Sequence, residues 1–403
     1  MSQLLDTLYE KLEEKNDRMI EIRRELHEHA EKSFEEEWTS DYIADFYKDL
    51  DCQVERNVGN GYGIVVTIDS GKEGKTVALR ADFDALPIKE DTGLDFASKT
   101  DAMHACGHDG HTAYLLILAE TFIELKDLWQ GKIVILHQNA EEEGPGGAKS
   151  MVEAGCLDGV DNVFGMHVMS NMPVGGIYYK EGNAQTGRDN FFLTIKGEGG
   201  HASSPHTSND AIVAGAYFVT QVQSIVSRRL NPFDVGSITI GNFDAAGAAN
   251  AINGQVKISG DVRSMSPEVG DTIEKEIKAK VKGLEASFGV TVELEYLKGY
   301  PVLYNDPEVT EFAVKALEDN KYPELKKVES TQPQPPSEDF AFYAKEVPSA
   351  FLWVGCASDD QDAHPAYPHH HPKFFMDEGA LIVAAKGMAT IVSSYIENDG
   401  IKA

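Results

Sequence analysis

Apolar residues recur along this chain in two rhythms, one helical and one alternating. Leu4, Leu5, Leu8, Leu12, Met19, Ile22 and Leu26 fall at near-helical spacing with charges between them, which predicts an amphipathic helix or pair of helices over 4–29. "YGIVVTID" (62–69) and "KTVALRADFDA" (75–85) read as strands joined by "SGKEGK", a glycine-containing hairpin turn. Residues 111–127 read as a helix, and "GKIVILHQNAEE" (131–142) as a strand ending at carboxylates. "GGAKSMVEAG" (146–155) reads as a short helix and "DNVFGMHV" (161–168) as a strand with a histidine near its end. Strands alternating with helices predict an α/β domain, a sheet flanked by helices, whose ligands gather beyond the strand ends.

From about residue 187 the pattern changes. "NFFLTIKG", "VGSITIGNF", "GQVKISGDVRS" and "VTVELEYL" read as strands, with long helices at 208–229 and 267–289. A β-α-β-β-α-β order with two helices on a four-stranded sheet is a ferredoxin-like α+β module. Helical pattern resumes at 306–319, and a last long helix starts near Asp377. The economical reading is one α/β domain, residues 1–184 and 299–403, interrupted by an α+β domain at 185–298. No internal repeat or low-complexity segment is evident.

The chain's 403 residues allow two or three domains, and an apolar fraction of 42% is ordinary for a globular protein. Its formal net charge of −30 repels phosphate backbones and anionic lipid, which argues against nucleic acid or a membrane surface as partner. Apolar stretches such as "YLLILA" (114–119) are too short to span a bilayer. No signal peptide is evident, and Cys52, Cys106, Cys156 and Cys356 are too far apart to read as a disulfide framework. The cytoplasm is the expected compartment.

Four segments carry chemistry. "MHACGHDGH" (103–111) sets Cys106 two residues from His108 at a helix start, where thiolate and imidazole can both reach a divalent metal. Taken alone, the pair reads equally well as a small hydrophobe beside a polar turn. "NAEEEG" (139–144) is a solvated acidic patch in isolation. At the end of an apolar strand it offers one carboxylate to ligate and a neighbour to take a proton from water. His167 in "VFGMHV" is either a satisfied core histidine or a ligand, and "AHPAYPHHHPKFFMDE" (363–378) adds His364, His369, His370 and His371. Together the segments supply more ligands than one tetrahedral zinc needs, so two metal ions are the better count.

Competing motifs fail. "GKEGKT" ends like a phosphate-binding loop, but its first glycine would fall on Asp69; "HEHAE" is not H-E-x-x-H, and there is no G-x-S-x-G. A Cys106 nucleophile with His108 as base would leave the other histidines and glutamates without a task.

"RRELHEHAEKSFEE", "LRADFDALPIKE", "MHACGHDGHTA", "HQNAEEEGPGGAKSMVEAG", "FGMHV", "IKGEGGHASSPH", "SEDFAFY" and "HHHPKF" occur in the order found in the M20 metallopeptidase superfamily. The chain resembles its branch of N-acyl-amino-acid amidohydrolases, from about Arg23 to Glu378. The resemblance implies a metal-dependent amidohydrolase acting on N-acyl amino acids, with dipeptide cleavage and a catalytically silent metal-binding homologue as the alternatives. It implies two divalent cations, manganese by the habit of the branch, with zinc and nickel also suited to a mixed S, N and O ligand set. Cys106 would bridge the metals, and His108, Glu142, His167 and His370 would ligate, with His369 and His371 as neighbours of the last. Glu141 would be the general base; aligning from "GPGG" instead of "HQNA" shifts base and ligand to Glu142 and Glu143. Asp84 would orient a ligand histidine, its plainer role being a cap. Asp109 and His111 would support the site or the helix start, and His104 has no evident role. His201 would stabilise the oxyanion from the partner subunit of a dimer, Asn250 would hold the substrate, and Arg263 would clamp its carboxylate unless it serves a surface salt bridge. The inserted domain would be the dimerisation lid of a homodimer or a dimer of dimers. Asn253 stands where the branch has proline after "NxI", and "QNAEE" replaces "QPAEE", departures that touch loop shape and substrate fit.

Overall fold

The computed structural model describes residues 2–401. Three helices open the chain: α1 (Gln3–Glu14), α2 (Asn16–Glu28) and α3 (Glu37–Tyr47). The 4–29 pattern is thus a pair of helices, the first capped by the Ser2 hydroxyl, which accepts from the Leu5 N–H. Then follow β1 (Gln53–Val58), β2 (Gly63–Asp69), β3 (Thr76–Asp82), α4 (His108–Glu124), β4 (Lys132–Gln138), α5 (Ala148–Glu153), β5 (Asn162–Pro173) and β6 (Gly176–Tyr179). The next group is β7 (Gly187–Lys196), α6 (Ala211–Arg228), β8 (Gly236–Asp244), β9 (Gln255–Ser264), α7 (Pro267–Phe288) and β10 (Thr291–Lys298). The chain closes with α8 (Pro307–Asp319), β11 (Lys327–Ser330), α9 (Ala341–Glu346), β12 (Ser349–Ala357) and α10 (Gly379–Glu397).

These elements form two compact units. The larger comprises the chain up to Ala184, Tyr304–Pro333 and the chain from Asp339; the smaller comprises Gln185–Leu303 and Gln334–Glu338. The return of 334–338 to the smaller unit is one that no local pattern announces. It is held there by the Thr186 hydroxyl, which donates to the Pro335 carbonyl, and by Arg263, which donates to Ser337 Oγ.

In the larger unit eight strands form one mixed sheet in the order β1-β2-β4-β3-β5-β12-β6-β11. β3 runs parallel to both β4 and β5, so their carboxyl ends lie along one edge. The hairpin expected between 62–69 and 75–85 does not form, because β4 lies between the two strands, antiparallel to β2 and parallel to β3. Its run "KIVILHQ" is buried at every residue after Lys132, and a strand buried on both faces needs a neighbour on each side. α4 is buried from His108 through Ile123, and α10 is buried nearly throughout. Both are core helices, buried on nearly all sides. Gly379–Glu397 is longer than "YLLILA" and matches a membrane span in length and composition, yet 89% of the apolar window is buried inside the molecule. It also carries a buried lysine, Lys386, paired with Glu13 and Glu324.

In the smaller unit four antiparallel strands take the order β8-β9-β7-β10. One face packs on α6 and α7 through Phe191, Leu193, Phe218, Val256, Ile258, Ile273 and Ile277. Asp210 and Ser266 cap the two helices, each cap contributing about 1 kcal/mol.

Candidate metal centre

The carboxyl edge of β3, β4 and β5 gathers the chemistry. Asp82 ends β3 and Asp84 follows it; Glu141 and Glu142 follow β4; His167 lies within β5; and α4 begins at His108. Gly107, between Cys106 and His108, has φ +87°, and a Cβ there would lie 2.4 Å from the Val168 side chain. Glycine is what allows this turn, and the turn brings two residues that stand two apart to one cluster.

The cluster can be read atom by atom. Cys106, His108 and His167 place one ligand atom each within 4.8 Å of one another. So do Cys106, Glu142 and His370, and so do His108, Glu141 and Glu142. Cys106 Sγ is 3.4 Å from His167 Nε2, and His370 Nε2 is 3.2 Å from Glu142 Oε2. Glu143 is exposed. Of the three consecutive histidines, His370 has φ +63°, and its N–H donates to the Ala105 carbonyl, which pins it beside Cys106. His369 Nε2 accepts from the Ser170 N–H, while His371 stacks on Tyr367.

The hydrogen bonds also fix where ring protons lie. His167 Nδ1 is 2.6 Å from the Val168 carbonyl and must donate to it, so the Nε2 lone pair faces Cys106. Burial, with His111 and His369 nearby, holds that imidazole well below its usual pKa and therefore neutral. His108 Nδ1 lies 3.0 Å from the Asp84 carbonyl and 3.1 Å from Asp84 Oδ1, which leaves Nε2 pointing into the cluster, buried and without a hydrogen-bond partner. Burial lowers the His108 pKa, but Asp82, Asp84 and Glu142 together push it up to about 10. Burial raises the Cys106 thiol well above its usual range, and Glu142 and Glu141 add to the shift. The pocket therefore has an excess of negative charge and a buried nitrogen with no partner. A divalent cation fits that donor set, supplying the positive charge that a proton on His108 otherwise provides.

Around the cluster lies a support that sequence reasoning only partly found. Asp84 Oδ2 accepts from Ser33 Oγ at 2.7 Å and from the Glu142 N–H at 3.0 Å, so one carboxylate ties the His108 ring to the Glu142 backbone. His111 spends both nitrogens: Nδ1 donates to Asp82 Oδ1 at 2.6 Å, and Nε2 accepts from the Val168 N–H at 2.9 Å. Asp82 is in turn bound by Arg80, which also donates to Gln138 and Asp339. Asp82, His108 and His111 are close enough to hold an ion, but His111 has no lone pair left for one. Asp109 turns away to a buried pair with Arg23 Nε at 2.8 Å and to His27 Nδ1 at 2.8 Å. His104 is buried with neither ring nitrogen hydrogen-bonded, and burial drives its pKa down to about 4. Asp82 and Arg80 escaped the sequence reading, although two charges inside the apolar run of β3 were a signal for them.

His201, Asn250 and Arg263 belong to the smaller unit. His201 is exposed and pairs as a short strand with Ala251, next to Asn250, whose carbonyl accepts from the Ala202 N–H. Arg263 Nε donates to Asp261 Oδ1 at 2.8 Å, and Asp261 also binds Arg188, so the ion-pair reading of Arg263 has a physical counterpart.

A family model described as peptidase family M20/M25/M40 matches residues 78–394. A crystal structure from methicillin-resistant Staphylococcus aureus, described as an aminohydrolase, is 57% identical with a TM-score of 0.93, over 97% of this chain and 99% of that one. One from Bacillus subtilis, described as a dinuclear metal binding peptidase from the M20 family, is 30% identical with a TM-score of 0.82, over 96% of this chain and 99% of that one. Among curated relatives, thermostable carboxypeptidase 1 of Saccharolobus solfataricus is 35% identical, over 97% of this chain and 99% of the relative. The N-acetylcysteine deacetylase of Bacillus subtilis is 34% identical, over 94% and 97%.

Proposed function

We propose, for a chain that belongs to peptidase family M20/M25/M40, a metal-dependent amidohydrolase that cleaves the amide bond of N-acyl amino acids. The observation that carries this reading is the convergence of Cys106, His108, His167 and Glu142 with the more exposed His370 on one cluster, with Glu141 beside it. The deacetylase relative supports the acyl substrate class. The carboxypeptidase relative keeps peptide cleavage as the second reading.

In this proposal Cys106, His108, Glu142, His167 and His370 hold two divalent cations, manganese first, with zinc and nickel as the other candidates. Bound there, the cations supply Lewis acidity that polarises the amide carbonyl and acidifies water. Glu141 takes the proton from the attacking water and delivers it to the leaving amine nitrogen. Asp84 keeps the His108 ring oriented through its Nδ1–H. His201, reaching in from the partner subunit, stabilises the oxyanion, Asn250 holds the substrate and Arg263 clamps its free carboxylate.

The smaller unit is proposed as the dimerisation lid of a homodimer. Its α6 exposes Ile212, Val213 and Tyr217, and Phe192, Phe243 and Leu297 are exposed on its strands, apolar surface of the kind that subunit contacts cover. The cytoplasm is proposed as the compartment, which four unpaired cysteines suit.

Glu141→Gln tests the assignment. Metal content should be retained while turnover of acetyl- and benzoyl-amino acids falls by about a hundredfold or more. Near-normal turnover would sink it, and a wild type active only on dipeptides would select the second reading.

A further inference from the structure

We propose that Glu36 is a positioning residue, which holds the bend that carries Glu141 and Glu142 in the shape that lets both carboxylates serve one site. In an extended strand, neighbouring side chains point to opposite faces, so two adjacent glutamates cannot both face a single cluster. Here they do, because both lie beyond β4 in a bend, which the chain enters through Ala140 at φ +52°. A left-handed residue two positions beyond the end of β4 turns the chain out of its extended course. Alanine enters that region only under constraint.

The constraint comes from three hydrogen bonds. The Ala140 N–H donates to Glu36 Oε1 at 2.8 Å, and the Ala140 carbonyl accepts from the Gly147 N–H at 3.1 Å. Two residues on, the Glu142 N–H donates to Asp84 Oδ2 at 3.0 Å. The return limb passes so close that a Cβ on Gly147 would lie 2.0 Å from the Asn139 carbonyl oxygen. Asp84 and Gly147 are part of the site or of its loop, whereas Glu36 reaches in from the start of α3, 104 residues earlier.

Glu36 is faced by the backbone N–H groups of Phe34 and of its own residue as well as by that of Ala140. It occupies the N-cap position of α3 but makes no side-chain bond to that helix. It is fully buried, and its Oε2 has no hydrogen-bond partner. Burial and the charge of Asp84 push its pKa up to about 8, a cost that capping its own helix would have avoided. A buried carboxylate kept at such a cost, bonded to the one left-handed residue beside the base, is placed to define that residue's conformation. The inference rests on the assignment of Glu141 as base and Glu142 as ligand.

Glu36→Leu keeps the volume and accepts no hydrogen bond; Glu36→Gln keeps an acceptor oxygen without the charge. In metal-stripped protein titrated with manganese alone, Glu36→Leu is expected to bind about tenfold more weakly, and Glu36→Gln within about threefold of wild type. At saturating manganese, kcat of Glu36→Leu falls about tenfold or more with KM little changed. Adding Ala140→Gly, which lets the left-handed conformation form without a Cβ, recovers most of both losses. Unchanged affinity and kcat in Glu36→Leu, a defect shared by Glu36→Gln, or one that Ala140→Gly leaves untouched would each overturn the proposal. Because affinity is read without turnover, a wild type that binds manganese but hydrolyses no amide would count against the hydrolase reading alone.

Discussion

His108 Nδ1 lies 3.1 Å from Asp84 Oδ1 and 3.0 Å from the carbonyl of the same residue, so Asp84 accepts the ring's one outward proton twice over. The same carboxylate receives the Glu142 N–H through its other oxygen, so it aligns two proposed ligands at once. Asp84→Ala should therefore lower metal affinity about 10–100-fold, measured by competition with a chromogenic chelator. Thermal stability of the metal-free protein should not rise. Unchanged affinity would show that His108 is held by its packing alone.

Arg23 and Asp109 are both buried, with Nε 2.8 Å from Oδ2, and His27 shares the same oxygen. Removing the guanidinium leaves a buried carboxylate with only His27 to meet it. Arg23→Leu should destabilise the folded protein by about 3–5 kcal/mol in urea titrations. A loss below about 1 kcal/mol would mean that water or a rearranged side chain replaces the arginine.

His137, on β4, is buried with its Nε2 2.9 Å from the Tyr47 hydroxyl, and burial drives its pKa down from 6.5 to about 3. The unfolded chain therefore takes up this proton at higher pH than the folded one. Its contribution to stability is complete above about pH 6.5 and is lost progressively as pH falls toward 3. Between pH 6.5 and 5 the loss amounts to about 2 kcal/mol. His137→Gln keeps a partner for Tyr47 and removes the titration, so its stability should fall less steeply over that interval. Parallel slopes in wild type and variant would assign the acid sensitivity to other groups.

Much of the site was legible in the chain itself. Cys106, His108, Glu141, Glu142 and His167 stood out as ligand-type residues at helix starts and strand ends, and the folded chain brings them together. Local signals sufficed there, because the period of apolar residues fixes where a strand ends, and the carboxyl edge of a sheet is where such ends meet. The β-α-β-β-α-β pattern was equally local, since each of its elements buries its own apolar face.

What the tertiary structure alone decided are the relationships between distant positions. Consecutive histidines share one local pattern, and His370 faces Cys106 because its N–H finds the Ala105 carbonyl. The place of β4 between β2 and β3 depends on strand partners, which a two-residue period cannot name. The links Asp82–His111, Asp84–Glu142, Glu36–Ala140 and Arg80–Asp339, each buried on at least one side, span 29, 58, 104 and 259 residues. A buried polar group must find a partner, but its chemistry specifies only the kind of partner, and the packing of the whole chain selects which one.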